Sequence, residues 1–201
     1  MKISKIISIL LHPIFMPLLA IYITIQKVPS INFILNNSIN TIYIVLTIFT
    51  IILPVVSIFL LIRSGRVKSL EMSDYKERSL PLFRTVIWMG FGLYLLNNIF
   101  IYTPILKAEL IGAIIIIALA AIISKKWKIS LHLLGAGGMV GILLFLQLTI
   151  GNIQNLLLFF ILLSGILGVA RLKQKAHNHL QIYTGFLLGV TIELFTLILL
   201  A

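Results

Sequence analysis

The chain has 201 residues, 60% of them hydrophobic and only 10% charged, yet it carries a formal net charge of +11 at pH 7. A mean hydropathy of +1.16 excludes a soluble globule, which needs a polar surface around its apolar core. The absence of cysteine excludes disulfides, thiolate metal sites and cysteine nucleophiles, and leaves the compartment undefined.

Seven apolar runs reach or approach the ~20 residues that a spanning helix requires. The first, 6–25, follows the basic start MKISK. A secretory signal peptide would begin in this way, but no small-x-small cleavage site follows and Pro13 and Pro17 interrupt the run, so an uncleaved first helix is expected. The second run, 39–62, ends at the longest polar interval, 63–81, which is too short for a soluble domain. The third and fourth runs are 82–102 and 105–123. The fifth is 129–150, the sixth 153–170 and the seventh 180–200. The runs are continuous rather than alternating, and helices satisfy their backbone internally under such a pattern. The sequence therefore predicts an all-α, polytopic transmembrane helix bundle forming a single domain over 1–201.

If seven helices alternate in direction, the N-terminus and the segments 63–84, 125–128 and 171–175 lie on one face. Of the sixteen Lys and Arg residues, only Lys27 and Lys107 fall on the other. The positive-inside rule makes the basic face cytoplasmic, in an integral protein of a bacterial inner (plasma) membrane. Basic residues gathered around an anionic ligand would give the same asymmetry on either side. The expected partners are the lipid bilayer and an anionic lipid phosphate, with no nucleic acid.

Three polar segments share this face. The segment 73–81, SDYKERSLP, reads by itself as a juxtamembrane loop whose basic residues meet anionic head groups. In 128–141, KISLHLLGAGGMVG, Ser130 and His132 open a helix. Gly137 and Gly141 follow at a small-xxx-small spacing that close helix packing explains. Packing does not explain a histidine at the helix mouth. In 171–181, RLKQKAHNHLQ, a helix beginning near His177 would put His177 and Gln181 on one face, four residues apart and within hydrogen-bonding reach. Arg171, Lys173 and Lys175 also read as snorkelling anchors. Ionisable residues converging on one membrane face nevertheless point to function.

The order of these motifs resembles the type 2 phosphatidic acid phosphatase family, over roughly 128–189. Ser130-Leu131-His132 is similar to that family's Ser-Gly-His motif at a helix start. Arg171, five residues, His177, three residues and Gln181 is similar to its Arg-x5-His-x3-Asp motif. The resemblance implies His177 as the nucleophile that forms a phosphohistidine and His132 as the general acid. It implies Arg171 as a clamp on phosphate oxygens, with Ser130, Lys128 and Arg78 as further phosphate ligands. No metal or other cofactor is required.

The departures are as informative. The family's first motif, Lys, six residues, then Arg-Pro, has its nearest match at Arg78 with Pro81, and Glu71 stands where the Lys would fall. Leu131 replaces glycine. Gln181 replaces the aspartate that would orient the nucleophile and stabilise its cation, and an amide can do only the first. Two further readings follow. One is a non-catalytic binder or carrier of phospholipid or polyprenyl phosphate. The other, a prenyltransferase-like enzyme suggested by DYKERSLPL, lacks the paired Asp-rich motifs that hold magnesium on a diphosphate.

Overall fold

The computed structural model describes residues 2–70, 72 and 74–201; Glu71 and Ser73, which belong to the first polar motif, lie outside the described residues. The described residues form an all-helical bundle with seven helices long and apolar enough to cross a membrane. Large apolar side chains such as Phe59, Tyr94, Leu95, Phe159, Leu187 and Leu199 are exposed on its outside, where a lipid-facing surface requires them.

The first span is broken. α1 (Lys2–Leu10) stops short of a 3-10 turn at Pro13–Phe15, and α2 (Met16–Lys27) continues beyond it. Proline has no N–H to donate and disfavours helical backbone at the residue before it. His12 is accordingly extended, and its ring caps the turn by accepting from the Ile14 N–H. A short helix, α3 (Pro29–Leu35), follows on the opposite side.

The second span is α4 (Ile39–Leu46), a π-helical turn at Thr47–Ile52 and α5 (Leu53–Arg63). Pro54 cannot donate to Thr50, its partner in a regular helix, and the wider turn absorbs that missing bond. The remaining spans are α6 (Ser79–Phe100), α7 (Pro104–Ile123), α8 (Leu131–Thr149), α9 (Gln154–Lys173) and α10 (His179–Leu200).

The pairing of α8 with α10 is the closest in the bundle. A Cβ on Gly137 would collide with the Phe186 carbonyl, one on Gly189 with the Leu134 carbonyl, and one on Gly185 would sit 2.9 Å from the Ser130 carbonyl oxygen. The small-xxx-small spacing thus brings two backbones together, the use to which membrane helices put such residues. α8 is correspondingly buried along most of its length.

Candidate functional site

The four basic segments meet at one end of the bundle, tied by bonds between elements distant in sequence. Arg78 donates through Nε to the Met72 carbonyl at 2.9 Å and through Nη1 to the Ile129 carbonyl at 3.4 Å. The Ser130 N–H donates to the Gln181 carbonyl at 3.3 Å, joining the start of α8 to the first turn of α10. Gln174 donates to the Ser4 carbonyl at 2.6 Å and to Ser8 Oγ at 2.9 Å. These bonds fasten α1 over the end of α9.

Beneath this end lies a cavity of about 930 Å³. Arg78, Lys128, His132, Arg171 and His177 all line it, together with Lys5, His12 and Lys175. Of the residues singled out from the sequence, these five reach one cavity although they come from three separate segments. Arg78 joins them from 51 residues before Ile129, across two intervening spans. Ser130 is fully buried, and its hydroxyl caps α8 by accepting from Leu133 N–H at 3.5 Å. Gln181 stands behind His177.

The helix that carries Gln181 starts later than the sequence suggests. Asn178 is the N-cap of α10, and Asn178 and Gln181 form a reciprocal capping box. His177 therefore precedes the helix rather than sharing a face with Gln181. The two side chains still meet, with His177 Nδ1 3.0 Å from Gln181 Oε1. Arg171 and Lys173 belong to the last turn of α9, not to a loop.

The partners determine where each imidazole holds its proton. The Asn178 N–H can only donate, so the Gln181 atom that it faces at 3.2 Å is the carbonyl oxygen. His177 must then donate from Nδ1 to that oxygen, which leaves Nε2 as the basic, nucleophilic atom of the ring. His132 Nε2 is 3.0 Å from the Ser8 carbonyl oxygen, an acceptor only, so its proton is on Nε2. His12 Nδ1 accepts from the Ile14 N–H at 3.3 Å, which puts its proton on Nε2 as well. The rings of His12 and His132 meet edge to face, with centroids 5.2 Å apart.

Electrostatically the mouth is built for an anion. Burial lowers the pKa of His177 to about 4, and the cations Arg78, Arg171 and Lys128 add to the effect against the opposing Gln181 bond. The same forces lower Lys128: burial first, then Arg78 and Arg171, partly offset by Asp74. Groups that repel one another's protons in this way gain from a bound negative charge. The ion pair among the described residues, Lys68 with Glu77 at 3.6 Å, has Lys68 largely exposed.

Sequence reasoning missed His12, for which a histidine before proline inside an apolar run was the available signal. It also passed over Glu109 and Glu193, which line the same cavity at 2% and 1% exposure. Carboxyls inside apolar spans are themselves a signal of function. Compared with models of known families, with curated proteins and with solved structures, the chain matches none.

Proposed function

We propose that the protein binds a lipid phosphate at the cationic mouth of the cavity and hydrolyses it without a metal, as a divergent relative of the type 2 phosphatidic acid phosphatases. The observation that carries this reading is the convergence of His177, its Nε2 left basic by Gln181, with Arg78, Lys128, Arg171 and His132 on one cavity. In the first step the Nε2 lone pair forms a bond to phosphorus as the ester P–O bond breaks. The departing alkoxide takes a proton from Nδ1 of the imidazolium form of His132, which the bound anion favours, while its Nε2–H stays on the Ser8 carbonyl. Water then attacks the phosphohistidine and gives a proton back to His132 Nδ1, releasing inorganic phosphate and returning the nitrogen lone pair. Arg78, Arg171 and Lys128 hold the phosphate oxygens, and the apolar inner wall takes the lipid.

The neutral partner behind His177 favours a second reading, a binder or carrier of phospholipid or polyprenyl phosphate that performs no chemistry. Gln181 orients the ring but offers no negative charge to an imidazolium or a phosphohistidine. A charged partner in place of a neutral one changes the barrier by a few kcal/mol, on the order of 100-fold in rate.

Phosphate release from a panel of lipid phosphates without added metal, measured for wild type, His177→Ala and Gln181→Asp, separates the two. A phosphatase loses release in His177→Ala and gains it in Gln181→Asp. A carrier releases nothing in any of the three and binds more weakly in Gln181→Asp, where like charges meet. Release that survives His177→Ala defeats the nucleophile assignment. The basic end we assign to the cytoplasm, of a bacterial inner membrane, by its Lys and Arg bias. A single cysteine introduced as Lys126→Cys should resist impermeant thiol reagents in intact cells, and labelling there reverses the assignment.

A further inference from the structure

The cavity has a second polar region, far from its mouth. Glu109 on α7 and Glu193 on α10 both line it. Each is the fourteenth residue from the end of its helix nearest the basic segments, Ile123 and His179. At 1.5 Å per residue their α-carbons lie about 21 Å from that end, and the Glu193 carboxyl, level with Gly112, lies about 16 Å from it. Their place is built into the packing. A Cβ on Gly112 would stand 2.6 Å from Glu193 Oε2, so the carboxyl occupies room that only glycine leaves on α7.

These carboxyls have few partners. Thr24 on α2 donates to Glu109 Oε1, while Glu109 Oε2 and Glu193 Oε1 make no hydrogen bond. α8 faces Glu193 with Gly138 and Gly141. Among the described residues, the charged group acting on Glu193 is Glu109, and no Lys, Arg or His acts on either carboxyl. An ionised carboxylate buried without a cation is costly, so the pair needs a positively charged occupant. Among the described residues no group of three or more His, Cys, Asp or Glu could hold a metal ion. The cationic mouth would also repel a metal or an ammonium ion entering by the cavity. A proton is not excluded, because water and histidines can relay it.

We propose that Glu109 and Glu193 form a proton-binding pair at the inner end of the cavity, coupled to occupation of the mouth by a phosphate anion. The coupling rests on the anion-binding reading above, and two effects give it one sign. The anion's charge favours protonated carboxyls, and a lipid tail extending inward would displace water from them. Binding therefore takes up protons, and affinity falls as the pair ionises. A unit charge about 20 Å away in a partly wet cavity changes affinity on the order of fourfold.

The test uses the full chain in nanodiscs and methyl dodecyl phosphate, a single-chain phosphodiester that has no proton to titrate near neutrality. Infrared spectroscopy across pH 6–9 should show a protonated-carboxyl band that is lost in the Glu109→Gln/Glu193→Gln variant. Absence of that band from wild type at every pH overturns the proton site. Calorimetry in buffers of different ionisation enthalpy should show proton uptake on probe binding and an affinity that falls about fourfold as the band disappears. The double variant should bind with a flatter pH profile and reduced uptake. Probe binding that leaves the band and the proton count unchanged overturns the coupling. Failure of wild type to bind the probe, with the band present, defeats the anion-binding reading and the coupling together while the proton site stands.

Discussion

The α8–α10 pair and the α4–α6 region both pack helices across a lipid core, in opposite ways. Where α8 meets α10, glycine lets backbone approach backbone at Gly137, Gly185 and Gly189, and nothing the size of a lipid could enter. Where α6 meets the second span, the contacts are made by side chains: Gly92 faces the Phe49 side chain, and Trp88 Nε1 donates to Ser57 Oγ at 2.7 Å. That span is irregular, with its π-helical turn ahead of Pro54. Thr50 and Pro54 of the irregular span line the cavity, as do His12 and Pro13 of the broken first one. α8 is the shared wall, turning Gly137 and Gly141 toward α10 and Gly135, Met139 and Ile142 toward the cavity. Tight backbone pairing fixes one side of the site, and helix irregularity opens the other.

The largest expected effect comes from breaking the tight side. In Gly189→Ala the new methyl would meet the Leu134 carbonyl and crowd the Gly138 N at 2.8 Å. A carbonyl in a helix cannot rotate away, so α8 and α10 must separate. The loss should reach or exceed the ~3 kcal/mol upper end of ordinary overpacking. A control on α6 that touches no neighbouring helix, Gly90→Ala, meets nothing within 4 Å and should be neutral or stabilising by up to ~1 kcal/mol through helix propensity. Thermal unfolding in one detergent compares them, and equal midpoints for the two variants would remove the distinction between the regions.

A smaller effect should come from acid. His177 is 8% exposed, and its pKa is lowered to about 4 from an ordinary 6.5. Above pH 7 the ring is neutral whether the protein is folded or not, and it contributes nothing to pH dependence. Between 6.5 and 4 the unfolded chain binds the proton and the folded chain refuses it, so stability falls as pH falls. The loss, complete below about pH 4, is on the order of 3 kcal/mol. His177→Asn should flatten the unfolding midpoint across that window. A midpoint equally acid-sensitive in the variant would assign the loss to other groups.

Much of the tight side was legible in the sequence. The seven spans follow from run length, and Gly137 and Gly141 announce close packing by spacing alone. His132, Arg171 and His177 were legible as a group because they cluster at the ends of apolar runs, whereas Ser130, grouped with them, is fully buried as the cap of α8 and is not part of the cavity lining. The open side was less so. Arg78 was named from its place ahead of Pro81, but it reaches the Ile129 carbonyl only through the fold, and no local pattern carries that contact. The start of α10 was misplaced by two residues because the Asn-x-x-Gln capping signal lay inside a motif being read for chemistry. Glu109 and Glu193 come together from residues 84 positions apart, and only the packing of α7 on α10 makes them a pair.

The smallest effect concerns the cover over the open side. α1 is held to the end of α9 by Gln174, through the Ser4 carbonyl and the Ser8 hydroxyl. The outer face of α1, with Ile3, Ile6, Ile9 and Leu10 exposed, makes no contribution to that attachment. Gln174→Ala should therefore loosen α1 locally while the α8–α10 pair stays closed. Two hydrogen bonds at a half-buried site contribute about 1–2 kcal/mol together, which appears as local opening rather than global unfolding. The cysteine-free background supplies the reporter, because Ser4 is buried at 7% and Ser4→Cys keeps its backbone carbonyl. Thiol labelling of Ser4→Cys should accelerate about tenfold when Gln174→Ala is added, with no change in unfolding midpoint beyond ~1–2 kcal/mol. An unchanged labelling rate would mean that contacts other than Gln174 hold α1 down, and that the cover is as firmly built as the glycine pair beneath it.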